Sequence, residues 1–284
     1  GSTMEKSMKA TKIKTGIVVT ILIVFLVVIV GFPLAWMALS SLKPGIELFT
    51  IPPKILPQNW SLEWYTQAFS NPNVIRYFLN SLLIASAVMV VDMLIGTLTA
   101  YSLTRFHYKG RKLILISVLA AYCVPPIMLM LPLYKIVNAF GLPESHLGVI
   151  IAHLTVTLPF SVWLLVSFFK KLPKEIDEAA VMDGASEVQV FLKIELPLCV
   201  SGVLSTGIMA FIMSWNEFLL SSVLISKESM KTLTVGLANY ISSTHIDWGI
   251  IMALGTITTI PVIILFALVQ KYFVEGMTAG AVKG

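Results

Sequence analysis

Along this chain, long apolar runs alternate with short polar ones. Six runs are charge-poor and long enough to be read as membrane-crossing helices. A crossing helix needs about 20 apolar residues to span about 30 Å of hydrocarbon. Thr15 to Leu42 lies between Lys14 and Lys43, and Tyr77 to Thr104 between Arg76 and Arg105, broken only by Asp92. Leu113 to Tyr134 follows Lys112, and Leu147 to Phe169 precedes Lys170. Leu196 to Ser226 carries Glu217 as its one charge, and Trp248 to Gln270 lies between Asp247 and Lys271. Each run is predicted helical, because an open strand leaves its backbone unsatisfied in lipid. The expected fold is an all-α integral membrane chain. Six transmembrane helices occupy residues 15–273, with tails at 1–14 and 274–284.

Composition supports this class. The chain is 57% hydrophobic and 12% charged, with mean hydropathy +0.87. A soluble globular chain carries roughly twice that charge fraction. The basic residues set the orientation. Fourteen of the 20 Lys and Arg fall on one set of ends, among them Lys6 to Lys14, Arg105 to Lys112, Lys170 to Lys193, and Lys271 and Lys283. The opposite ends hold Lys43, Lys54, Arg76, Lys135, Lys227 and Lys231. Both termini and the stretch around residues 172–198 are therefore predicted to be cytoplasmic. The net charge of +5 reflects this bias, so no nucleic-acid partner is expected.

The first run exceeds the 7–15-residue core of a signal peptide, so it is expected to be a retained span. Gly1-Ser2-Thr3 ahead of Met4 reads as a cloning remnant. Cys123 and Cys199 lie in or beside spans, and His107, His146, His153 and His245 are scattered, so neither a disulfide framework nor a metal site is expected. Proline and aromatics between Lys43 and Arg76 (Pro44, Pro52, Pro53, Pro57, Pro72, Trp60, Trp64, Tyr65) predict an ordered external flap. A second external loop runs from Lys227 to Asp247, and a third, around Gly141-Leu142-Pro143, is short. Pro125-Pro126, Pro132, Pro159 and Pro261 fall inside spans. They give either ordinary curvature or hinges that open a cavity, and the double proline is the best hinge candidate.

One polar insert interrupts the pattern. Leu172 to Leu198 reads LPKEIDEAAVMDGASEVQVFLKIELPL, with Lys174, Glu175, Asp177, Glu178, Asp183, Glu187 and Glu195 between two apolar runs. Pro173 suits a first helical turn, and the acids that follow suit a positive helix start. Ile176, Ala179 and Ala180 share a face at i, i+3, i+4 spacing. Gly184 is expected to stop the helix in the left-handed conformation. Ser186 and Gln189 fit a capping box for a second short helix. Val188, Phe191, Leu192 and Ile194 are expected to form its apolar face, and Pro197 to end it and launch the fifth span. The result is a helix–Gly–helix knob built to meet another protein. The alternative is a helix lying on the membrane interface, where a basic rather than acid-rich face is usual.

EAAVMDGAS followed by FLKIELPL resembles the EAA loop of permease subunits in bacterial ABC importers of type I. The matching positions are Glu178, Ala179, Ala180, Asp183, Gly184, Ala185, Ile194, Leu196 and Pro197. WNEF at Trp215 to Phe218 and GMTAGAVKG at the end are similar to the MalG-like subunits of carbohydrate importers. The resemblance implies that the knob sits in a cleft of an ATPase subunit and transmits its closure. It implies that the tail, with Gly280 and Lys283, reaches toward an ATPase dimer. It further implies a MalF-like second permease, an extracytoplasmic sugar-binding protein, ATP and Mg held by the ATPase alone, and the plasma membrane of a bacterium or archaeon. The chain has no G-x-x-x-x-G-K-[ST] loop and no catalytic constellation, so the energy must enter from a partner.

Asp92 and Glu217 are the intramembrane carboxylates, and such groups usually face a cavity or a partner. Trp215, Asn216 and Glu217 together could hold a sugar, or Glu217 could be a structural hydrogen-bonding group. Asp92 is a further candidate for the translocation pathway, beside a structural reading in which Ser86, Thr97, Thr99 and Ser102 on the same span could satisfy neighbours, and His153 is read as a satisfied packing histidine. The expected function is one membrane subunit of an ATP-driven importer for a di- or oligosaccharide or related polyol, working by alternating access. The alternatives are a gradient-driven secondary transporter with Asp92 and Glu217 as ion sites, and a non-transporting scaffold or sensor.

Overall fold

The computed structural model describes residues 2–241 and 246–281, with side-chain surroundings for 16, 18–241, 246–268 and 270. Among the described residues nearly every element is a helix, as the long apolar runs require. The chain falls into two compact units, one of residues 1–71 with 242–257 and one of 72–241 with 258–284.

In the first unit, α1 (Ser2–Ser40) runs into the proline-rich flap. The flap is ordered, as expected, by side chains that replace regular structure. Glu47 accepts from the amides of Gln58 and Asn59, each at 2.9 Å, and from Asn59 Nδ2 at 2.7 Å. Those bonds, led by the Gln58 amide, hold the Glu47 carboxyl below its ordinary range. Trp64 Nε1 donates to the Lys43 carbonyl at 2.7 Å, and Lys43 Nζ lies 4.5 Å over the Trp36 ring.

The second unit is built on three helices. α2 (Asn73–Arg105) and α5 (His146–Phe169) match the second and fourth apolar runs. α8 (Val200–Trp215) packs against both. Ala100 and Leu103 of α2, Val162, Leu165, Val166 and Phe169 of α5, and Cys199 and Val203 form a buried cluster at one end. Ile84 and Val88 of α2, Val149 and Ala152 of α5, and Leu220 and Leu224 form another. Small residues let helices approach closely where lipid offers no hydrophobic drive. Gly202 of α8 shows this against α5, since a Cβ there would sit 2.5 Å from the Phe168 ring.

Two apolar runs depart from the single helix expected. The third is split into α3 (Arg111–Tyr122) and α4 (Pro126–Ala139), bent by 104°. Pro125 and Pro126 both lack an amide hydrogen, and proline pushes the preceding residue out of the helical region. Pro132, Pro159 and Pro261 leave their helices continuous. The fifth run is broken twice, at Cys199 and at residues 216–218 before α9 (Leu219–Leu224). By length and composition, four helices could cross a membrane, or up to six if each bent pair is one span.

The loops around Glu144 and from Ser226 to Leu233 are latched to this frame. Glu144 accepts from the amides of Ser226 and Lys227 at 2.9 Å. Asn80 Nδ2 donates to the Lys231 carbonyl at 2.9 Å, and the Leu233 amide donates to Ser81 Oγ at 2.8 Å. Glu228 binds Lys231 and the Tyr77 hydroxyl, which together hold its carboxyl below the usual range.

Gly202→Ala is expected to cost about 1–3 kcal/mol through overpacking against Phe168. Thermal stability in detergent measures it. Phe168→Leu in the same chain should recover part of the loss, and an unchanged melting point for Gly202→Ala would reject the close approach.

Candidate functional site

The polar insert folds as the caps demand. α6 (Glu175–Met182) opens on three acids, two residues beyond Pro173. Gly184 stands at φ +87°. The Gly184 amide donates to the Val181 carbonyl and the Ala185 amide to the Ala180 carbonyl, both at 3.0 Å. This paired closure satisfies carbonyls that a helix end leaves bare, and it requires a left-handed residue at position 184. Ser186 and Gln189 form the capping box, each side chain bonded to the other's backbone.

α7 (Glu187–Leu198) continues further than expected. It does not end at Pro197. Phe191 to Glu195 widen into a π-turn, and the helix closes at Leu198, bent 73° from α8. Pro197 has no amide to return to the preceding turn, which accounts for the widening. The extra residue rotates the buried face. Val190 and Glu195 are buried and Phe191 and Ile194 half-buried, whereas Val188 and Leu192, expected on the apolar face, are exposed. The Phe191 ring lies 4.6 Å from Tyr101 of α2.

α6 buries no residue. Glu178, Ala179, Asp183 and Gly184 are exposed and Ala180 is half-buried. Ile176, Val181 and Met182 are also exposed, Met182 at 86%. Exposed apolar side chains rimmed by acids, on a segment folded tightly by its own caps, make an interaction surface. Ile194 and Leu196 are half-buried behind it, and Pro197 is exposed. Lys283 lies outside the described residues, and Gly280 lies where only the helical backbone is described.

The residues considered for a transport pathway are placed differently. Trp215 is 1% exposed. It stacks on Phe211 at 5.6 Å, meets Phe78 edge-on, and donates to the Thr258 carbonyl at 3.1 Å. It offers no open aromatic face. Asn216 is exposed and donates to the Ile212 carbonyl at 3.0 Å.

Glu217 caps α9. Its carboxylate accepts from the Leu220 amide at 2.7 Å, the Ser221 amide at 3.0 Å and the Ser221 hydroxyl at 2.8 Å. His153 of α5 completes the group, with Nε2 donating to Glu217 at 3.0 Å and Nδ1 meeting Ser214 Oγ at 2.7 Å. The reading of His153 as a satisfied packing residue agrees with this geometry. Asp92 is fully buried at a π-turn, facing Thr157 and Ser161 of α5 rather than Ser86, Thr99 or Ser102 of its own helix. The spacing of Asp92 along α2 carried no signal for partners on α5.

One residue of the site was missed. Arg105, the last residue of α2, forms an ion pair with Asp177 of α6 at 2.9 Å and donates from Nε to Glu195 of α7. In the sequence it is one more basic flank of a span, and only the fold brings the three together.

Residues 92–279 match the model of the binding-protein-dependent transport system inner membrane component family. The chain belongs to this family. It is 39% identical over 260 residues to the inner membrane ABC transporter permease protein YcjP of Escherichia coli, covering 90% of this chain and 92% of that one. It is 36% identical over 265 residues to the trehalose/maltose transport system permease protein MalG of Thermococcus litoralis, covering 92% and 94%. In structure it resembles a chain of a bacterial ABC transporter for import of the acidic polysaccharide alginate. That likeness has TM-score 0.77 at 21% identity, covering 91% of this chain and 96% of that chain. The permease thus shares the fold of importer subunits, and its knob falls inside the matched family region.

Removing the Glu217 carboxylate leaves buried donors unpaired, at about 1–3 kcal/mol. Glu217→Ala should therefore lower the detergent melting point clearly more than Asn216→Ala. Equal effects would rule out the capping role.

Proposed function

We propose that this permease is one membrane subunit of an ATP-driven sugar importer that works by alternating access. The observation that carries the reading is the knob, an exposed acid-rimmed apolar surface held rigid by a glycine closure and a capping box. ATP binding closes a partner ATPase pair, the Glu178–Gly184 turn moves with it, and the spans tilt. The apolar stripe of Ile176, Val181 and Met182 is what a cleft on another protein would cover.

In this reading all six apolar runs cross the membrane, both bent pairs included. The distribution of Lys and Arg supports placing both termini and the knob on the cytoplasmic side of a bacterial or archaeal plasma membrane. The missing phosphate loop assigns ATP and Mg to the partner. A related second permease completes the pathway, and an extracytoplasmic binding protein delivers the cargo. The names of the relatives, among them trehalose/maltose and diacetylchitobiose systems, support a di- or oligosaccharide as that cargo. Within this chain Asn216 is the pathway candidate that the packing leaves exposed, whereas Trp215, Glu217 and Asp92 support the helices around it. Gly280 and Lys283 are assigned to a tail that reaches the ATPase dimer.

Two outcomes test this. Gly184→Trp or Asp183→Lys should leave the permease in the membrane and abolish uptake into vesicles, with loss of the co-purifying ATPase. Uptake should need ATP inside the vesicle, and uptake driven by an ion gradient alone would replace the reading with a secondary transporter.

A further inference from the structure

The end of α2 and the two knob helices meet at one guanidinium. Arg105 is 8% exposed, Asp177 20% and Glu195 1%. Arg105 Nε serves both carboxylates, and its other arm donates to the Leu172 carbonyl at 3.3 Å. Asp177 Oδ1 and Glu195 Oε2 are buried, and no hydrogen bond reaches either among the described residues. Two carboxylates thus face one cation, leaving one uncompensated negative charge and two buried oxygens without a hydrogen bond, at the edge of a cavity that Arg105 and Asp177 line. Such a charge costs several kcal/mol unless it is neutralised. A single proton removes both problems, because a protonated Glu195 donates to Asp177.

We propose that Arg105, Asp177 and Glu195 form a one-proton clamp that fixes both knob helices to the end of α2, with Arg105 as the positioning residue. The clamp makes α6, α7 and α2 move as one body. This rests on the knob being the connection to the ATPase. Among the described residues, Arg105 is the cation within ion-pair distance of these two carboxylates. α2 contributes Tyr101, whose hydroxyl lies 3.5 Å from the Glu187 carbonyl. His107 and Lys174 line the adjoining cavity of about 310 Å³, together with Asp177, Glu178 and Glu187. Cys199 lies behind Glu195.

Burial, and next the hydrogen bond that only the protonated form can give Asp177, push the Glu195 carboxyl up to about 7. A raised carboxyl favours the clamp at low pH. The clamp is closed below about 7 and loosens as pH rises through that value. Between about pH 6 and about pH 8 the protonated fraction of such a group falls roughly tenfold.

The test uses the full chain assembled with its ATPase and sister permease in proteoliposomes, with ATP hydrolysis read as a function of pH on the knob side. Hydrolysis by the wild type should fall several-fold across that window. Glu195→Gln should flatten the profile, and Asp177→Asn should shift it toward lower pH, since either amide removes one charge. Arg105→Lys keeps the charge but loses the fork, and should lower hydrolysis at every pH. A profile unchanged by both Glu195→Gln and Asp177→Asn would overturn the proposal. On the purified permease alone, the wild-type minus Glu195→Gln infrared difference should contain one protonated-carboxyl band at about pH 6 that is lost by about pH 8. Absence of that band overturns the clamp whatever the ATPase does. Retention of the ATPase by Gly184→Trp instead overturns the knob as its docking point and leaves the infrared result standing.

Discussion

A backbone amide in hydrocarbon has no water to turn to. Every departure from a helix must therefore be covered by some other group. This constraint organises the permease. Its few breaks are the places where side chains stand in for the missing turn. At residues 216–218 the Glu217 carboxylate takes up the amides of the next helix, and His153 fixes that carboxylate from α5. At residues 184–186 glycine geometry and a serine–glutamine box do the same work in a polar setting. The places richest in chemistry are thus the places where the regular backbone fails.

The same reasoning separates stiff parts from adjustable ones. α2, α5 and α8 interlock through small residues such as Gly202, so they shift only together. The 104° bend at the double proline lies outside that block, whereas the 73° bend at Cys199 is anchored in it, because Cys199 is buried in the cluster that α2, α5 and α8 share. Motion imposed at the knob has a short path to α2, because Arg105 ends that helix and holds both knob helices. A rigid lever joined to bent spans is the mechanical arrangement that alternating access requires.

Arg105 also shows how a buried charge group can be built from ordinary sequence. Asp177 reads as one acid among many in an amphipathic insert, and Glu195 as a filler position between Ile194 and Leu196. They are separated along the chain by a glycine closure, a capping box and a π-turn. The π-turn ends at Glu195, which is buried, while Val188 ahead of the turn and Leu192 within it are exposed. Polar residues in this chain are distinguished by what they face, and residue type alone does not reveal that.

Much was legible in the sequence because its physical cause is local. Apolar run length gave α2 and α5 almost to their ends, and the apolar parts of α1 and of α10 (Trp248–Ala281), both of which run on as helix beyond the apolar stretch. Gly184, Ser186 and Gln189 gave the knob, since caps act over three or four residues. The double proline gave the sharpest bend for the same reason. What the sequence could not decide was which polar groups meet. Glu217 with His153, and Arg105 with Asp177 and Glu195, are joined across 60 or more positions, and Asp92 is brought to face Thr157 and Ser161 over a similar separation. Those partners depend on how helices rotate and cross, which packing fixes only when the whole unit closes.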